Sequence, residues 1–88
     1  METRVAVMSI IVENPESVEK LNGLLHEHGE YIIGRMGIPY REKGVSIISV
    51  VVDAPADVIS SLSGRLGMLP GISTKTVYSK IKTEEEQR

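Results

Sequence analysis

The sequence predicts an α+β fold: a ferredoxin-like βαββαβ two-layer sandwich whose antiparallel four-stranded sheet has the order 4-1-3-2. Three observations carry this reading. The chain nearly repeats itself at an offset of 40 residues, with Val5–Pro15 over Val45–Pro55 and identities at Val5/Val45, Ser9/Ser49, Val12/Val52, Pro15/Pro55 and Val18/Val58. Each copy opens on a run rich in β-branched residues, the composition of a strand. Each run is followed by an acid, a proline and a stretch of helical periodicity, and two such units in tandem give the ferredoxin-like plan.

The elements follow in order. Arg4–Glu13 reads as strand 1. Asn14 is a good N-cap, Pro15 suits the first helical position, and Glu16 and Glu19 favour the positive end of a helix. Helix 1 then carries Val18, Leu21, Leu25 and His28 on one stripe, widened by Leu24, and Gly29 is expected to stop it. Glu30–Pro39 reads as strand 2, where Gly34 and Gly37 point to a bulge or a close approach. Tyr40–Gly44 is a charged turn leading to strand 3, Val45–Val52. Asp53 or Ala54 is expected to cap helix 2, which Pro55 opens, Val58, Ile59, Leu62 and Leu66 pack, and Gly67 ends. Met68–Gly71 is a turn before strand 4, Ile72–Ser79. Right-handed crossovers place strands 1 and 3 in the sheet centre and both helices on one side of it.

The 88 residues therefore make one domain, 1–80, and a charged tail, 81–88, expected to be disordered. The formal net charge is −2, and the tail carries two bases against three acids, which leaves the body at about −1. That balance does not favour binding to nucleic acid, which depends on neutralising phosphates. No cysteine is present, so neither a disulfide nor a thiolate metal site is expected. No secretory leader or membrane span is recognised, and a cytoplasmic location is the default expectation.

Alternate residues of a strand face opposite sides of the sheet. In strands 1 and 3 both sides are aliphatic, broken only by Ser9, Ser46 and Ser49. A two-layer sandwich covers one side only, so the other is expected to pack on a second copy, as a dimer or tetramer, or on another protein; the plain alternative is that the short polar C-terminal segment folds back over it.

Signatures of common chemistry are missing. The tyrosines Tyr31, Tyr40 and Tyr78 are the sole aromatics, and no aromatic stands on the central strands, where RNA-recognition domains stack bases. No P-loop, dinucleotide fingerprint or nucleophile–base spacing occurs, so no catalytic residue, cofactor or metal ligand is assigned. His26 and His28 are two apart and lie about 200° apart around a helix, unsuited to sharing one metal. Gly23 and Gly64 fall in mid-helix, at about 1 kcal/mol each relative to alanine. They mark close helix packing, a weak turn, or approach of a ligand or neighbour. Basic residues cluster in the second half of the fold, with an echo between Gly34-Arg35-Met36-Gly37 and Gly64-Arg65-Leu66-Gly67. Arginine beside glycine presents a planar donor fork next to open backbone, suited to a carboxylate or phosphate. The plain alternative is solvated charge paired with Glu30, Glu42 or Asp57.

The run Gly34-Arg35-Met36-Gly37-Ile38-Pro39-Tyr40-Arg41-Glu42, with Leu62-Ser63-Gly64-Arg65-Leu66-Gly67, Gly71-Ile72 and Lys75-Thr76-Val77, resembles the iron-only hydrogenase system regulators. These are small proteins related to the ACT domain and to the effector domain of the nickel-responsive repressor. The resemblance spans Arg4 to about Lys80. It implies an ACT-like effector or oligomerisation domain with a regulatory role tied to hydrogenase maturation. ACT relatives hold small effectors near the turn after strand 1, here Glu13-Asn14-Pro15-Glu16, but Glu16 stands where their pattern has glycine. The repressor's nickel site uses a cysteine that this chain lacks. Its DNA-reading arm has no counterpart before Arg4, so any role in transcription regulation is not expected to run through that motif.

The combined expectation is a non-enzymatic regulatory or effector-binding module that self-associates through its open sheet face. Its ligand or partner surface is assigned to Gly34, Arg35, Gly37, Arg41, Gly64, Arg65 and Lys75, and its partners to a second copy, a small anionic effector and a hydrogenase maturation protein. The alternative is an adaptor that docks on a maturation enzyme and takes no small ligand.

Overall fold

The computed structural model describes residues 2–81. β1 (Arg4–Val12) and β3 (Val45–Ala54) lie side by side at the centre of the sheet, flanked by β2 (Ile32–Tyr40) beyond β3 and β4 (Ile72–Tyr78) beyond β1. The order β2-β3-β1-β4 is the expected 4-1-3-2 in reverse, and every pairing is antiparallel. The internal repeat has a geometric consequence: its serines meet, Ser9 opposite Ser49.

Helices α1 (Val18–Glu27) and α2 (Ala56–Gly67) cover one side of this sheet. The core is the alternate set Ala6, Met8, Ile10 and Val12 with Ile48, Val50, Val52 and Ala54, closed by Leu21 and Leu25 from α1 and Ile59, Leu62 and Leu66 from α2. Val18 and Leu24 border it, as the helical stripe predicts.

The helix starts and stops depart from expectation in ways that local hydrogen bonds explain. Asn14 does cap, its Oδ1 accepting from the Glu16 amide at 3.0 Å, but the first turn, Pro15–Ser17, is a 3₁₀ turn. Gly29 does not end α1 in a left-handed conformation. The helix stops at Glu27, His28 Nδ1 bonds the Leu24 carbonyl at 2.8 Å, and a second 3₁₀ turn, Gly29–Tyr31, delays β2 to Ile32. Neither Asp53 nor Ala54 caps α2. Both extend β3, and Pro55 stands at the cap position with its carbonyl accepting from Val58 and Ile59. The expected bulge lies beside Gly34: Ile32 and Gly34 face the consecutive residues Val52 and Val51, which leaves Ile33 as the extra residue. Of the predicted tail 81–88, only Ile81 lies among the described residues.

Two turns are pinned together at one end of the sheet. The Glu13 amide donates to the Gly71 carbonyl at 2.7 Å, and Ser17 Oγ donates to the Pro70 carbonyl at 2.6 Å. At the opposite end the Arg4 guanidinium stacks on Tyr78, 4.9 Å from the ring centroid, and donates to the Ser79 carbonyl at 2.9 Å.

Candidate functional site

Among the described residues no helix packs on the other side of the sheet. Ile11 is 42% exposed, Ile47 41%, Ile38 51%, Met36 62% and Val77 68%, values far above those of core residues. The two-sided aliphatic pattern of β1 and β3 thus yields one buried face and one open apolar face.

The seven predicted site residues fall in three places. The first is a groove at the β2 edge. Register puts Arg35, Gly37 and Pro39 on the helix side, opposite Val50, Ile48 and Ser46. Because β2 is an edge strand, this part of the sheet runs out beside α1 rather than under it. Two adjoining clefts of about 290 and 340 Å³ share Val18, Pro39 and Ser46. Arg35 and Gly37 line one, and Arg41 lines the other where the β2–β3 turn closes. Arg35 Nη2 donates to Asn22 Oδ1 of α1 at 3.0 Å, which holds the guanidinium at the rim. A Cβ at Gly37 would meet only Ile48 Cγ1, at 3.9 Å, so glycine here leaves room rather than avoiding a clash. Gly34 lies one strand residue away on the opposite, open face, paired with Val51.

The second place is a cleft of about 480 Å³ between the helices, floored by Leu24 and Leu69 and rimmed by Lys20, Glu27, Arg65 and Met68. Arg65 pairs with Glu27 at 3.6 Å, both side chains at least half exposed. Gly64 is on the same helix, and Gly23 lines the cleft from α1. A Cβ at Gly23 or at Gly64 would meet nothing within 4 Å, so neither glycine is there for close helix packing. Arg35 and Arg65, echoed in sequence, are thus separated by α1: one bonds Asn22, the other Glu27. Neither takes the partners Glu30, Glu42 or Asp57 considered from sequence.

Lys75 occupies the third place. It pairs across β4 to Ser9 and lies on the open face. Sequence reasoning missed Asn22 and Ser46, polar residues inside aliphatic stretches that line the edge groove. It also missed Asp53, assigned to a cap but set on the open face by its pairing with Val5.

Near the sheet edge, the Glu30 carboxylate raises the Tyr31 phenol above its usual 10.0, first by its charge; partial burial, a hydrogen bond from the phenol to Glu30 and the charge of Asp57 add to the effect. Among the described residues no three His, Asp or Glu side chains gather as a metal site would require. No helix there is long and apolar enough to cross a membrane.

Fold and sheet order define the chain as an α+β module of the ferredoxin-like, ACT-like class, an architecture used by regulatory domains and by many others. Residues 4–76 match the TM1266-like family of iron-only hydrogenase system regulators, and the chain belongs to that family. The solved structure of TM1266 from Thermotoga maritima is 38% identical, with a TM-score of 0.86, over 90% of this chain and all (100%) of that one. A formyltetrahydrofolate deformylase from Pseudomonas putida KT2440 matches 83% of this chain with 28% of its own, at 15% identity and a TM-score of 0.61. CPII, a nitrogen regulatory PII-like protein from Thiomonas intermedia K12, matches over 90% of this chain and 99% of its own, at 13% identity and a TM-score of 0.50. The latter two likenesses are of fold alone. No curated protein matches the chain.

Proposed function

We propose that this protein is a non-enzymatic regulatory module of iron-only hydrogenase maturation, that it self-associates through its open sheet face, and that it takes a small anionic effector at the β2 edge groove. The observation that carries this reading is the apolar side of the sheet, on which no described element packs. Four strands about 4.8 Å apart, of 9, 9, 10 and 7 residues, present about 500 Å². Two such faces bury about 1,000 Å², the lower bound for a specific interface. Family membership supports the regulatory role.

For the effector, Arg35 and Arg41 supply charge at the two ends of an aliphatic groove, and Gly37 leaves depth between them. An oxyanion with a short apolar body fits that arrangement. Gly34, Gly64, Arg65 and Lys75 then belong to surfaces for protein contact. The alternative, an adaptor without a small ligand, is favoured by one observation: Met68 is 83% exposed on the rim of the helical cleft, as at adaptable protein-binding surfaces.

Sedimentation at micromolar concentration tests self-association, and a clean monomer of about 9.7 kDa refutes it. A thermal-shift screen of metabolite anions tests the groove, since a ligand that binds only the native state raises the melting temperature. Any shift should vanish in Arg35→Ala and survive in Arg65→Ala, which lies across α1. A shift that both variants retain removes the groove from consideration.

A further inference from the structure

We propose that two copies pack their open sheet faces steeply crossed, with Asp53 of each subunit paired to Lys75 of the other. This rests on the self-association reading and specifies its geometry. Asp53 lies opposite Val5 on β1, and Lys75 lies opposite Ser9, so both stand on the open face. They are the charged residues that register places on that face. Asp53 Oδ1 is buried and has no hydrogen-bond partner among the described residues. Lys75 makes no hydrogen bond or ion pair with a described residue.

The two cannot pair within one subunit. They are two strands and four residues apart, about 10 Å across the sheet and about 13 Å along it. That separation, about 16 Å, exceeds the reach of a lysine side chain. Covering the face with each charge unpaired is strongly unfavourable, and covering it with the charges paired is not. A two-fold axis in the interface plane, midway between the two positions, sets Asp53 over Lys75 of the partner subunit and repeats the contact by symmetry. The strands of the two sheets then cross at roughly 70°, within the orthogonal packing class, and the sheets still overlap over most of their area.

Sedimentation equilibrium on the full chain, with circular dichroism as the folding control, tests the pairing. Asp53→Lys and Lys75→Asp should each weaken the dimer at least about ten-fold, and the double swap should recover most of the loss. Asp53→Asn and Lys75→Gln provide milder versions for a reversed charge that disturbs folding, and should weaken association in the same sense. Wild-type association together with single variants that associate equally tightly, or with a double swap as weak as the singles, overturns the pairing and leaves the face-to-face reading in place. A wild-type monomer overturns both.

Discussion

Gly71 packs its bare Cα against Asn14 so closely that a Cβ built there would fall 2.5 Å from Asn14 Cβ and 2.8 Å from its backbone nitrogen. Gly71 also holds φ at +72°, a left-handed conformation that side chains disfavour. The contact joins the turn after β1, which starts α1, to the turn that launches β4. It is the point at which the two repeated units lock.

Gly71→Ala should therefore cost about 3 kcal/mol, from the left-handed backbone plus displacement of the Asn14 main chain. Gly44 provides the control. Its φ is +68° but its surroundings are open, so Gly44→Ala should cost only about 1 kcal/mol. Urea denaturation of both variants measures the difference, and equal costs would show that the Asn14 contact relaxes freely.

Ser17 is only 3% exposed, and its hydroxyl donates to the Pro70 carbonyl. Ser17→Ala leaves that carbonyl without this donor and should cost about 1–2 kcal/mol, seen as a lower urea midpoint at an unchanged slope. A neutral result would mean that water replaces the hydroxyl.

Gly23 and Gly64 sit in helices with open space where a Cβ would go. Gly23→Ala and Gly64→Ala should each stabilise the fold by about 0.5–1 kcal/mol, because alanine loses less conformational freedom on folding. Their thermal midpoints should rise. Any loss of partner capture by these more stable variants would place the helical cleft in an interface.

Tyr31 titrates above its usual 10.0 because of the Glu30 carboxylate beside it. The folded state favours the neutral phenol, so its contribution is complete below the unfolded value and is lost as pH rises through the folded one. Stability should fall in the alkaline range, and Glu30→Gln should move the Tyr31 transition back towards 10.0 in an ultraviolet titration. A transition that Glu30→Gln leaves in place would assign the shift to burial and Asp57.

Much of the fold was legible from local pattern. The β-branched runs of β1 and β3, their repeat, the helical stripes and the glycines that close the turns are legible in the sequence alone, and they gave the element order and sheet topology. Errors of element bounds arose where another hydrogen bond won. The His28 ring takes the Leu24 carbonyl at the end of α1, and backbone pairing with β1 carries Asp53 and Ala54 on as strand instead of helix cap. The site was less legible. Arg35 and Arg65 look like one constellation in sequence because their neighbours repeat, yet α1 stands between them, a fact of three-dimensional placement that no local window contains.

The chain by itself thus determined which residues are strand and helix, and that both sides of the central strands are aliphatic, because period and composition act over a few residues. Tertiary structure decided which of those sides the helices cover, where the edge strand opens a groove, and which charges are set on the open face. These depend on register and on helix placement, which are set by the packing of segments far apart in the chain.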